Sequence, residues 1–210
     1  MAAAHDSLAH SASLWSQQHD GYDPDRSRLV QGWLRLMRAL SVPLADAGVP
    51  PTALTLAGVS AAGVAVLAAD AAAPATLSAG LVLLTAVCDG LDGAVALRRQ
   101  EDGRGASRHG ALIDHTADRV TDVLFAAALC RAGASRRAAT MAAVATVGYE
   151  GVRSLLRRRG RVGAVVTVGE RPIRVAVVCA GLMAAPGPGA AIVGGLTTAA
   201  ALHVALDARN

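Results

Sequence analysis

The sequence contains no lysine and almost no aromatic residues: two tryptophans, two tyrosines and one phenylalanine in 210 residues. Nucleic-acid surfaces combine clustered cations with rings on which bases stack, so a nucleic-acid partner is excluded. Cysteine is scarce as well. Cys88, Cys130 and Cys179 are odd in number, far apart and set in apolar runs, which excludes a disulfide-stapled secreted scaffold and marks them as small core residues. Charged residues make up 17% of the chain, below the roughly 25% of soluble domains. Hydrophobic residues make up 53%, too much apolar surface for a disordered chain. A large helical soluble protein or a multi-span membrane protein remains.

Residues 1–28 are polar, with His5, His10, His19, Asp20, Asp23 and Asp25, and lack the apolar centre and cleavage site of a signal peptide. They are expected to form a mobile cytoplasmic leader before a single membrane domain over 29–210. Residues 29–44 carry an apolar face (Leu29, Val30, Trp33, Leu34, Leu36, Met37, Leu40) beside Arg28, Arg35 and Arg38. This pattern suits a helix in the membrane interface or, equally, an amphipathic helix packed on a protein core. Apolar segments follow at 54–69, 76–97, 111–130, 138–156, 173–185 and 189–206. Breakers separate them: Asp70 with Pro74, Gly103 to Gly105, Gly133, Gly160, and Pro186-Gly187-Pro188-Gly189. The expectation is an all-α polytopic bundle of about six transmembrane helices, with small residues allowing close helix packing in lipid. Arginines precede the first segment and lie between the second and third (Arg98, Arg99, Arg104, Arg108) and the fourth and fifth (Arg157, Arg158, Arg159, Arg161). With an even number of spans these loops share one face, expected to be cytoplasmic, with both termini. Arg131, Arg136 and Arg137 on the opposite face are an exception.

The chemistry-bearing stretch is Cys88-Asp89-Gly90-Leu91-Asp92-Gly93, continued by Gly110-Ala111-Leu112-Ile113-Asp114-His115-Thr116-Ala117-Asp118. Residues three or four apart share one helix face, so Asp89 with Asp92, and Asp114 with Asp118, form two acidic pairs at adjoining ends of the second and third segments. Four carboxylates at the mouth of an apolar bundle repel one another, and ionisable groups at that depth are costly and functional. Hard divalent cations, Mg²⁺ or Mn²⁺, resolve the conflict through oxygen ligands and also hold phosphates. Gly90, Gly93 and Gly110 are expected to clear side chains from the cluster. His109 and His115 flank it as bystanders. Taken singly, each aspartate could instead be a turn residue or a helix cap.

The run Asp89-x-x-Asp92-Gly93-x-x-Ala96, followed by Gly110-x-x-x-Asp114-x-x-x-Asp118, resembles the signature of the CDP-alcohol phosphatidyltransferases, and the resemblance extends from about residue 50 to the C-terminus. It implies a six-span fold in which Asp89, Asp92, Asp114 and Asp118 hold two divalent ions at the pyrophosphate of a CDP-linked lipid such as CDP-diacylglycerol. An alcohol then attacks the lipid-side phosphorus and CMP leaves, with Asp118 as general base. Gly93, Ala96, Gly110, Thr55 and Arg98 are implied on the CDP-lipid side. Arg98 departs from the pattern, because Leu97 stands where the family has its arginine, and residues 101–105 lengthen the following connection. Asp118-Arg119-Val120 and Glu170-Arg171-Pro172-x-Arg174 are similar to the phosphatidylinositol phosphate synthase subgroup. That similarity implies an inositol phosphate acceptor whose phosphate meets Arg153 and Arg174; the two could equally be interfacial arginines. The resemblance further implies a homodimer in the cell membrane with a cytoplasmic active site. Glycerol phosphate or another polyol is the alternative acceptor. A divalent-cation transporter and a non-enzymatic assembly partner are the alternatives of other classes.

Overall fold

The computed structural model describes residues 28–70, 73–101, 108–160 and 167–208. The expected leader, but for Arg28, and most of the lengthened connection lie outside the described residues. Those described form seven α-helices and no strand: α1 (Arg28–Asp46), α2 (Pro51–Ala68), α3 (Ala75–Glu101), α4 (Arg108–Arg131), α5 (Arg136–Arg158), α6 (Arg171–Ala184) and α7 (Pro186–Asp207). Three of them, α2, α3 over Ala75–Gln100, and α7, are long and apolar enough to cross a membrane. The expected six spans also count α4, α5 and α6. In these helices Asp114, Asp118, Asp122, Glu150 and Arg174 are buried or half-buried while Leu112, Val120, Val123, Met141, Val144, Ile173 and Met183 stay exposed, and the exposed arginines Arg131, Arg136, Arg137, Arg157 and Arg158 lie at the helix ends. The protein has an all-helical membrane fold.

Helix ends follow local rules. Gly48, at φ 77°, takes the left-handed conformation that closes α1, and Val49 N–H donates to the Leu44 carbonyl. Ser135 caps α5 by accepting from Ala138 N–H. Pro51 and Pro186 begin α2 and α7, where a missing N–H costs nothing. The Pro186-to-Gly189 run is therefore the first turn of α7 and not a loop, which corrects the expected break.

Small residues set the packing. Ala62, Ala65, Ala79, Ala128, Ala142 and Ala190 sit in the core with Val82, Leu129 and Val178. Ser78 donates to the Ala65 carbonyl at 2.9 Å and Thr85 to the Gly58 carbonyl at 3.1 Å, tying α3 to α2. Cys88 and Cys179 are buried and Cys130 is half-buried, all unpaired thiols. Near the turn into α7, a Cβ on Gly181 would lie 3.0 Å from the Gly189 Cα. Only glycine permits that approach of α6 to α7.

Helices α3 and α4, which carry the aspartate pairs, barely touch each other. Helix α2 packs against both on one side and α6 against both on the other, leaving a gap into which the two acidic faces point. At the far end of the bundle, Asp70 pairs with Arg131 at 3.1 Å. One of the exceptional arginines thus has a local anionic partner.

Helix α1 answers both sequence alternatives. Met37, Ser41 and Ala45 form a buried stripe against α3, whereas Trp33, Leu36 and Leu40 remain exposed. Gly90 is what lets α1 sit down: a Cβ there would be 2.8 Å from Met37 Sδ and from Trp33 Cζ2. Gly90 therefore serves helix packing, whereas the sequence reading expected it to clear side chains from the acidic cluster.

Candidate active site

Oxygens of Asp89 on α3 and of Asp114 and Asp118 on α4 all lie within 4.8 Å of one another, each side chain half-buried. Three of the four expected carboxylates thus meet across the gap. Asp92, one turn beyond Asp89, is buried and accepts a 2.6 Å hydrogen bond from Thr55 Oγ1 on α2. Thr55 thereby orients the fourth carboxylate from a different helix. Oxygens on one divalent cation sit about 2.0–2.6 Å from it, so two of them are at most about 4–5 Å apart. The Asp89, Asp114 and Asp118 oxygens meet that limit, and an all-carboxylate set suits hard cations. The residues therefore fit the divalent metal that the sequence reading implied. His109 and His115 are exposed, and His115 Nδ1 lies 3.5 Å from Arg119 Nη2.

The glycines divide. A Cβ on Gly93 meets nothing within 4 Å, so open space lies beside Asp92. Gly110 is half-buried in the first turn of α4, and Ala96 is half-buried on α3. Helix α3 continues past Leu97 to Glu101, so Arg98 is turned about 100° from the Leu97 position. Its Nη2 lies 3.7 Å from Asp46 of α1, and Arg99 donates to the Gly48 carbonyl at 2.8 Å. Both arginines reach the end of α1.

The sequence reading includes Arg171 in the Glu170-Arg171-Pro172-x-Arg174 segment but gives it no role at the aspartates. At the start of α6, its Nη1 donates to Asp89 Oδ1 at 2.9 Å, it also pairs with Asp118, and its Nη2 donates to Thr121 Oγ1 at 2.9 Å. The motif draws attention to the segment, and the bundle topology, which places the start of α6 beside the acidic pairs, gives Arg171 its partners.

A second charged layer lies deeper. Arg174, 2% exposed, reaches Asp122 at 3.0 Å and Glu150 at 3.2 Å and donates to the Gly169 carbonyl. Arg119 approaches the same two acids at 3.5 and 3.4 Å. Asp122 is the next helical turn after Asp118 and was legible by that spacing alone. Arg174, expected to meet an acceptor's phosphate, is instead enclosed by protein carboxylates. Arg153 pairs with Glu170 at 2.8 Å and donates to the Tyr149 hydroxyl at 3.3 Å. That hydroxyl lies 2.6 Å from Thr167 Oγ1. Arg153 and Arg174 thus belong to neighbouring networks around α6, each held by acids.

The profile of one protein family, described as CDP-alcohol phosphatidyltransferase, matches residues 49–206. No curated protein matches the chain. Among solved structures, phosphatidylinositol phosphate synthase of Mycobacterium tuberculosis with CDP-DAG bound superposes with a TM-score of 0.65 at 22% identity, covering 83% of this chain and 94% of that one. The same synthase in complex with manganese and citrate gives a TM-score of 0.64 at 21% identity over 83% and 89%. At these identities the likeness is one of fold.

Proposed function

The chain belongs to the CDP-alcohol phosphatidyltransferase family, and from that premise we propose that it transfers the phosphatidyl group of CDP-diacylglycerol or a similar CDP-linked lipid to an alcohol, releasing CMP. At the coarser level it is a membrane transferase of phospholipid synthesis. The observation that carries the finer reading is the convergence of the Asp89, Asp114 and Asp118 oxygens within 4.8 Å across two helices. A cation path would need polar groups through the membrane, whereas these acids gather towards one end of the bundle. Transport is therefore the weaker reading.

Asp89, Asp92, Asp114 and Asp118 would hold two divalent ions, Mg²⁺ or Mn²⁺. When bound, such ions neutralise phosphate charge and stabilise the departing CMP. The chain's own groups do the rest. Thr55 fixes Asp92 by its 2.6 Å hydrogen bond. The open space at Gly93, together with Ala96 and Gly110, admits the cytidine. Asp118 takes the proton of the acceptor hydroxyl as that oxygen attacks the lipid-side phosphorus. The acceptor is proposed to be an inositol phosphate, with Arg153, near the start of α6, facing its phosphate. Arg174 supports this region from below. Arg98, Arg99, Arg157 and Arg158 gather at this end of the bundle, in line with a cytoplasmic site in the cell membrane, and a homodimer belongs to the same reading.

The test is CMP release from CDP-diacylglycerol by membranes carrying the protein, with inositol phosphate, glycerol phosphate, serine or free inositol as acceptor. Release is expected with inositol phosphate and Mg²⁺, and loss of release with chelator or in Asp118→Asn. No release with any acceptor would end the proposal; release with glycerol phosphate alone would correct the acceptor.

A further inference from the structure

Arg171 is bonded to two of the three carboxylates that a divalent cation would use. Its guanidinium is bonded to Asp89 Oδ1 and paired with Asp118 Oδ1, and both carboxylates belong to the triad whose oxygens converge within 4.8 Å. A divalent ion binds such oxygens at about 2.0–2.6 Å. A guanidinium and a dication on the same two carboxylates would be like charges a few ångströms apart in a poorly solvated gap, which is strongly unfavourable. The two are therefore alternatives. The guanidinium also has a second seat outside the triad. Nη2 donates to Thr121 Oγ1 at 2.9 Å, while the Thr121 hydroxyl donates its own proton to the Asp118 carbonyl at 3.0 Å and so keeps a lone pair turned to Arg171. Helix α6 begins at Arg171, so its long side chain can pivot from the helix end without moving the helix.

We propose that Arg171 is a built-in counter-cation that competes with the divalent ion for Asp89 and Asp118, neutralising them in the metal-free protein and withdrawing to Thr121 when metal binds. This rests on the reading of the triad as a metal site and adds a reason for the site to survive empty. Carboxylates gathered in an apolar gap repel one another unless a cation is present. Arg171 supplies one from the chain itself, so the α3–α4 gap keeps its shape before metal arrives. Arg171 acts here as a positioning residue for the two carboxylates.

The experiment uses the full chain in detergent, with Mn²⁺ binding followed by loss of the free-ion electron paramagnetic resonance signal. Arg171→Gln removes the competitor and should tighten Mn²⁺ about tenfold. Arg171→Lys keeps the charge but not the planar fork that spans Asp89, Asp118 and Thr121, and should also tighten binding. Arg99→Gln, a guanidinium bonded to the Gly48 carbonyl outside the triad, should leave affinity unchanged. Wild-type affinity in Arg171→Lys would mean that only through-space charge matters, and would overturn the proposal. Thermal unfolding supplies the second readout. The Arg171→Gln deficit should be large in chelator and shrink as Mn²⁺ saturates; an equal deficit under both conditions would make Arg171 a fixed structural partner and overturn the proposal, as would Mn²⁺ binding to none of these proteins. CMP release by the wild type is read on the same preparation. Its absence counts against the transferase reading, while the order of Mn²⁺ affinities still decides the role of Arg171.

Discussion

Replacing Arg174 by methionine removes a guanidinium held 3.0 Å from Asp122 and 3.2 Å from Glu150, and keeps an aliphatic stem to fill the space. Asp122, whose side chain is 3% exposed, then loses its nearest cation. Arg119 remains at 3.5 Å from Asp122 and 3.4 Å from Glu150 and compensates in part. Removing one partner of a buried ion pair costs about 3–5 kcal/mol, and the surviving Arg119 places this case at the lower end, about 3 kcal/mol. For a chain of this size that corresponds to a melting point lower by roughly 6–12 °C, read by fluorescence-monitored unfolding in detergent. The double variant Arg174→Met/Asp122→Asn removes the stranded charge with its partner and should recover at least half of the loss. The opposite result would be an Arg174→Met protein that melts with the wild type and differs only in a raised KM for the acceptor. Arg174 would then be a substrate ligand, and the buried network would not be what supports α6.

Thr55→Val removes the 2.6 Å hydrogen bond to Asp92. Hydrogen bonds to charged groups contribute about 1.5–3 kcal/mol, so CMP release should fall by about tenfold or more; a rate within twofold of wild type would show that Asp92 is oriented by other groups. Gly93→Val puts its side chain into open space, so unfolding should be unchanged while the KM for CDP-diacylglycerol rises at least about tenfold, and a wild-type KM would move the cytidine elsewhere. Gly63→Ala, also facing open space, should stabilise α2 by about 0.5–1 kcal/mol. Gly181→Ala, blocked by the Gly189 backbone at 3.0 Å, should destabilise by about 1–3 kcal/mol; melting shifts of the same sign would refute the packing argument.

What could be read in advance was local. Asp89 with Asp92, and Asp114 with Asp118, recur at helical spacing within two short stretches, so periodicity alone placed each pair on one face. Thr55 came only from the family resemblance, and its hydrogen bond to Asp92 depends on how α2 lies against α3. Arg171 and Glu150 join the aspartates and arginines of other helices across dozens of residues, and no spacing rule encodes that meeting. Gly90 shows the limit from the other side. Between two aspartates it reads as a ligand clearance, yet its bare Cα faces Trp33 and Met37 on an element more than 50 residues earlier. The Pro186-to-Gly189 run misled for a simpler reason, since breakers of helix interiors are ordinary residues of a first turn.

The contact of α1 with Gly90 has a thermodynamic corollary. Helix α1 shares a seam with Gly90, the residue next to Asp89. Work done on α1 by its surroundings, whether lateral pressure or curvature, is therefore done partly on the carboxylate-bearing helix. Linkage is reciprocal: a ligand that shifts α3 at Asp89 would shift the seat of α1 at the neighbouring Gly90 as well.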